Sequence, residues 1–109
     1  MILILIKAFP LDKDSLNEII EFSKELIEKS RKEYGNIYYN LYLNTEDDTL
    51  LFVSEWKSKK QLVNHLKTDY FIEFEENIDE LLSNDLIISV YDSKALTFNS
   101  LIIFKGLTF

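Results

Sequence analysis

Apolar and polar residues alternate along this chain with different periods in successive segments, and each period predicts an element. Ile2 to Phe9 is an apolar run interrupted only by Lys7, the pattern of a strand covered on both faces. Pro10 to Asp14 breaks it. Beyond that break the spacing becomes helical: Leu16, Ile19, Ile20, Ser23, Leu26, Ile27 and Ser30 share one stripe. On the other side Glu21 with Lys24, Glu25 with Lys29 and Glu28 with Lys32 stand at pairing distance along the helix. Ser15 and Glu18 form a Ser-x-x-Glu capping box, which predicts a helix from there to about Tyr34. Gly35 follows where a helix commonly ends in a left-handed residue.

From Ile37 to Leu43 the period falls to two, with Ile37, Tyr39, Leu41 and Leu43 on one side and Tyr38, Asn40 and Tyr42 on the other. A polar turn over 45–49 joins this strand to the next, Leu50 to Trp56, as a hairpin. Ser58 and Gln61 repeat the capping-box pattern and open a short helix through Leu66. Asp69 is placed to cap a further helical segment that buries Phe71, Phe74, Ile78, Leu81 and Leu82, and Leu86 to Tyr91 reads as a closing strand. The order is α+β, the ferredoxin-like βαββαβ arrangement, with an antiparallel sheet carrying helices on one face. The helix-free face keeps apolar side chains from the first strand and the hairpin, Leu41 among them. Small domains seldom leave such a surface in water, so a homodimer that buries it is expected.

Composition narrows the class. The 109 residues are 47% apolar and 14% aromatic, too hydrophobic for a disordered chain and about right for one domain. A net charge of -7 disfavours nucleic acid and anionic lipid as partners. The absence of cysteine excludes a disulfide framework, a thiolate metal site and a cysteine nucleophile, and suits a cytoplasmic location. The apolar start is too short to span a membrane and has no basic segment before it. With two glycines in all, a glycine-built phosphate or dinucleotide loop is implausible, and no Gly-x-Ser-x-Gly elbow occurs. The segment 93–109 contains Leu96, Phe98 and Leu101 to Phe104. It is expected to add a C-terminal strand or arm to the 1–92 domain or to its dimer partner, because an unpaired apolar strand invites aggregation.

The sole histidine, His65, borders the apolar stripe of the short helix. It is either a proton-transfer group or a boundary residue bonded to a backbone carbonyl. Tyr70 has a phenol suited to holding a substrate oxygen or a developing oxyanion, or to sitting at a pocket rim. Trp56 packs a strand-helix junction first and lines a cavity second, with Phe71 and Phe74 as further aromatic lining. Lys7 either meets an anionic substrate or snorkels out of the sheet. The acidic run Glu73, Glu75, Glu76, Asp79 and Glu80 covers several helix faces without neighbouring His or Cys, and reads as a solvated surface with no metal site.

The stretch from Ser54 to Phe71 also carries a resemblance. A strand ending in Glu55-Trp56, a helix bearing His65-Leu66 and a turn reading Thr68-Asp69-Tyr70-Phe71 are similar to the central signature of antibiotic biosynthesis monooxygenase (ABM) domains. That resemblance, over about residues 1 to 92, implies a dimeric α+β barrel and a monooxygenase working without metal or organic cofactor on a small aromatic or quinol-like substrate. It implies His65 as a catalytic residue; with the residue readings above, Tyr70 is expected to act beside it, and Lys7, Trp56, Phe71 and Phe74 are the expected substrate contacts. Tyr70 stands where relatives often have a second histidine, which leaves open a non-catalytic, ligand-binding or stress-associated dimer of the same fold. A haem-degrading branch shares Trp56-Lys57-Ser58-Lys59, but its Asn, Trp and haem-ligating His positions become Lys7, His65 and Glu75 here, so haem degradation is disfavoured.

Overall fold

The computed structural model describes residues 1–96 of the chain. Strand β1 (Ile2–Ala8) leads to helix α1 (Lys13–Arg31), the hairpin β2 (Asn36–Leu43) and β3 (Leu50–Trp56), helices α2 (Lys59–Leu66) and α3 (Asp69–Ile78), a 3-10 turn (Asp79–Leu81) and β4 (Ile87–Asp92). The strands form one antiparallel sheet in the order β2-β3-β1-β4, the ferredoxin-like arrangement. Among the described residues no helix is long and apolar enough to cross a membrane.

The helices cover one face. Ile4, Ile6 and Ala8 of β1, Leu50, Phe52, Ser54 and Trp56 of β3 and Tyr39 of β2 are buried beneath them. They meet Leu16, Ile19 and Leu26 of α1, Leu62 of α2 and Phe71, Phe74 and Ile78 of α3. Burying each such side chain contributes roughly 1.5–3 kcal/mol. The opposite face carries Leu3, Leu5 and Lys7 of β1, Leu51, Val53 and Glu55 of β3 and Tyr38 and Tyr42 of β2, by register and alternation.

That register corrects the reading of Leu41. It pairs with Phe52, whose ring packs edge-on against Phe74 of α3 at 5.6 Å, so Leu41 lies on the helix side and not at the centre of the helix-free face. A period of two separates a strand's rows but does not say which row meets the helices. A bulge between Asn36 and Tyr38 takes Ile37 out of the alternation.

Two helix starts also differ from expectation. Asp12, not Ser15, caps α1: its carboxylate accepts from the Ser15 backbone N–H at 2.8 Å, a bond that holds its pKa below the usual range. Ser15 is buried inside the first turn. Thr68, not Asp69, caps α3, accepting from the Phe71 N–H at 3.3 Å and donating to the His65 carbonyl at 2.7 Å. Thr68 thereby fixes the bend between α2 and α3. Ser58 caps α2 as its sequence pattern predicts, and the three charge pairs on α1 form.

Strand β4 is the sheet edge beyond the helices, and Ile87, Ile88, Val90 and Tyr91 stay about half exposed there. Ser93 prolongs the pairing by donating its N–H to the Met1 carbonyl at 2.8 Å. The expected C-terminal arm, apart from residues 93–96, lies outside the described residues.

Candidate functional site

His65 lies in the last turn of α2 with 2% of its surface exposed. Its ring is enclosed by Trp56 at 4.5 Å between centroids, Phe71 at 5.0 Å, Tyr39 at 5.7 Å and Tyr70 at 6.3 Å. The Trp56 indole lies at 32° to the imidazole and donates its own N–H to Ser54 Oγ at 3.1 Å. A polar ring in such surroundings needs a partner, and it has one. His65 Nδ1 is 2.6 Å from Glu33 Oε2. The bond is made to a carboxylate, so the backbone-carbonyl alternative for this histidine does not describe it.

Glu33 reaches the ring because of the turn after α1. The helix stops at Arg31 with Lys32 as its C-cap, short of Tyr34. Asn36 then donates its N–H to the Glu33 carbonyl at 3.2 Å, and Lys57 donates to the Gly35 carbonyl at 2.8 Å. Gly35, at φ +91°, lies against Gln61 in the first turn of α2. This clip brings the end of α1 beside α2 and aims Glu33 along it.

Electrostatically the site favours neutral groups. Burial pushes the imidazole of His65 below its ordinary pKa, with Glu33 pulling it back up. The Tyr70 phenol is raised above its usual range by burial and then by the neighbouring Glu33 carboxylate, and Tyr39 is raised by the same causes. At neutral pH the enclosure therefore presents protonated phenols and an imidazole beside one carboxylate. Lys29 Nζ stands 5.6 Å from the Tyr70 ring centroid.

Of the six residues expected at a site, the fold gathers His65, Tyr70, Trp56 and Phe71. Phe74 packs on Phe52 in the core instead. Lys7 is exposed and, by strand alternation, sits on the helix-free face, across the sheet from His65. The sequence does not single out Glu33, because it is one acidic residue among many, just past the end of α1 and 32 positions from its partner. Only the tertiary path joins them.

A cleft of about 250 Å³ opens beside this enclosure, between β1 and β4 on one side and α2 and α3 on the other. Ile4, Ile6, Ile88, Val90, Leu62, Leu66 and Phe71 make it apolar, and Glu75 is its sole charged lining residue. Phe71 is shared: its ring contacts His65 and also faces the cleft. Among the described residues no group of three or more His, Cys, Asp or Glu is placed to hold a metal ion.

Comparison with known proteins agrees with the fold. An uncharacterised Synechocystis protein, sll1783, is 39% identical over 79 residues, 72% of this chain and 54% of that one. The chain thus spans about half the length of that relative. YcnE of Bacillus subtilis, which bears a provisional monooxygenase name, is 31% identical over 63% of this chain and 74% of its own. The solved structure of a conserved protein from Methanosarcina mazei superposes with a TM-score of 0.80 at 30% identity, covering 85% of this chain and 92% of that one. The family model described as antibiotic biosynthesis monooxygenase matches residues 1–77, from β1 through nearly all of α3, and the chain belongs to that family.

Proposed function

We propose that this protein is a cofactor-independent monooxygenase that oxidises a small aromatic or quinol-like substrate with dioxygen, working as a homodimer. The observation that carries this reading is the sole histidine, buried in an aromatic enclosure with a carboxylate on Nδ1. A neutral imidazole there is a proton acceptor sheltered from water. Taking a proton from an electron-rich phenol or quinol gives an anion able to reduce dioxygen itself. The balance is SH2 + O2 → SO + H2O: the substrate supplies all the electrons, one oxygen atom enters the product and the other leaves as water. Tyr70, protonated and with its ring 6.3 Å from the imidazole, serves as donor to the substrate oxygen. Trp56 and Phe71 supply apolar walls.

The test measures oxygen uptake by wild type, His65→Ala and Tyr70→Phe across hydroquinones and polyphenols. Uptake that falls at least about tenfold in His65→Ala is expected from loss of a general base. An inert wild type, or full activity in both variants, overturns the reading.

A second reading, a non-catalytic ligand-binding dimer, is favoured by one feature. The open cleft is walled by apolar side chains and Glu75, while His65 lies behind Phe71. Titrating a naphthol into the protein while following the His65 ring signals separates the two. Perturbed ring signals support the enzyme, whereas binding that leaves them unmoved supports the module.

A further inference from the structure

We infer that Glu33 is a positioning residue that holds the proton of His65 on Nδ1 and so presents Nε2 as the proton acceptor. This rests on the proposed role of His65 as a base. A neutral imidazole has one N–H nitrogen and one lone-pair nitrogen, and an ionised carboxylate can only accept. A contact of 2.6 Å between Nδ1 and Glu33 Oε2 therefore assigns the hydrogen to Nδ1. Free imidazole side chains prefer the opposite tautomer, so the carboxylate makes a choice that the residue alone would not.

Three features of the fold support a dedicated partner. Glu21, Glu25 and Glu28 of α1 each pair with a lysine, whereas among the described residues Glu33 pairs with His65 alone. The Glu33 side chain is 16% exposed and His65 2%, so little water competes for the bond. The Gly35 clip fixes the backbone from which Glu33 projects. A carboxylate behind a histidine orients the ring and stabilises the imidazolium formed when the ring accepts a proton. The Tyr70 ring stands 6.3 Å from the imidazole, and the same carboxylate helps to raise its phenol's pKa, after burial.

The experiment uses the fact that the chain has one histidine, so its ring nitrogens give unambiguous signals in a long-range proton-nitrogen NMR spectrum near neutral pH. Wild type should show the Nδ1–H tautomer. Glu33→Met, similar in length but with only a weakly accepting thioether in place of the carboxylate, should shift it towards Nε2–H. In the oxygen-uptake assay the same variant should lose at least about tenfold in rate; loss of the orienting carboxylate of a histidine base costs up to about 10⁴-fold. Finding Nε2–H in wild type overturns the inference without any variant. So does a folded Glu33→Met that keeps both tautomer and rate. If wild type is inert to every substrate yet shows Nδ1–H that Glu33→Met abolishes, the positioning stands and the monooxygenase reading falls.

Discussion

Replacing Gly35 by alanine tests the clip that brings α1 to α2. A Cβ at this position would sit 2.1 Å from Gln61 Cγ and 2.6 Å from Gln61 Cβ, at a φ of +91°. Gln61 Cγ can swing aside, but its Cβ is fixed by the backbone of α2, so the turn or the helix start has to move. The positive φ costs a non-glycine residue roughly 1–2 kcal/mol, and forced overpacking adds about 1–3 kcal/mol. Reduced freedom of the unfolded chain offsets about 0.4–1 kcal/mol. The net loss is then on the order of 1–4 kcal/mol, a large part of a small domain's stability. Urea denaturation followed by fluorescence of the single, fully buried Trp56 reports it directly. Gln61→Ala in the same background removes the closest contact, and the pair should couple by about 1 kcal/mol. A Gly35→Ala protein within about 0.5 kcal/mol of wild type, or one strictly additive with Gln61→Ala, would refute the close packing of this turn on α2.

Three further outcomes are expected. Ser30 is fully buried and its hydroxyl has no partner, so Ser30→Ala should stabilise the fold by about 1 kcal/mol in the same urea assay, from relief of an unmet polar group and better helix propensity; a loss of that size would mean the hydroxyl is satisfied. His65 has its pKa lowered in the fold from an ordinary 6.5, so just below that pH the unfolded chain binds more protons. Stability should therefore be full above it and fall with acid down to the folded pKa, by at most about 1.4 kcal/mol per pH unit; between about pH 7.5 and 5.5 His65→Gln should lose less than wild type, and equal losses would count against the shift. Val53 lies on the central strand β3 and by alternation on the helix-free face, so Val53→Lys should convert the proposed dimer to a folded monomer by analytical ultracentrifugation, whereas an unchanged dimer would place the interface elsewhere.

Much of this fold is legible from local rules, and the places where those rules slip share one cause. Strand β3 falls over Leu50–Trp56 and helix α2 ends at Leu66, as hydrophobic periodicity and the Ser58 cap predict. The start of α1 moved because two oxygen-bearing residues, Asp12 and Ser15, compete to cap it. Asp12 wins because its carboxylate takes the Ser15 N–H while Ser15 itself is buried in the first turn. Periodicity leaves the face of Leu41 undetermined, because only the register with Phe52 tells which row meets the helices. Lys7 shows the same limit from the other side. Its row was readable as Leu3, Leu5 and Lys7, but nothing local says that His65 stands across the sheet.

The site was legible only in half, and the half that was missed bears on the chemistry. An aromatic-rich segment with one histidine can be read from Trp56 to Phe71, because those residues adjoin in sequence. Glu33 cannot, since the topology alone makes it a neighbour: the β2–β3 hairpin returns the chain to the end of α1, and Lys57 and Gln61 then close on Gly35. Without that carboxylate the neutral ring of His65 would still carry one N–H, but no partner would fix which nitrogen holds it. With it, the proton belongs on Nδ1 and Nε2 is left as the acceptor that the proposed general base needs. Phe71 then becomes the decisive wall, because it stands between this ring and the apolar cleft. Chemistry at His65 on a ligand in the cleft requires that wall to turn. A smaller side chain at position 71 therefore distinguishes an enzyme whose ligand passes Phe71 from a module whose ligand stops at it.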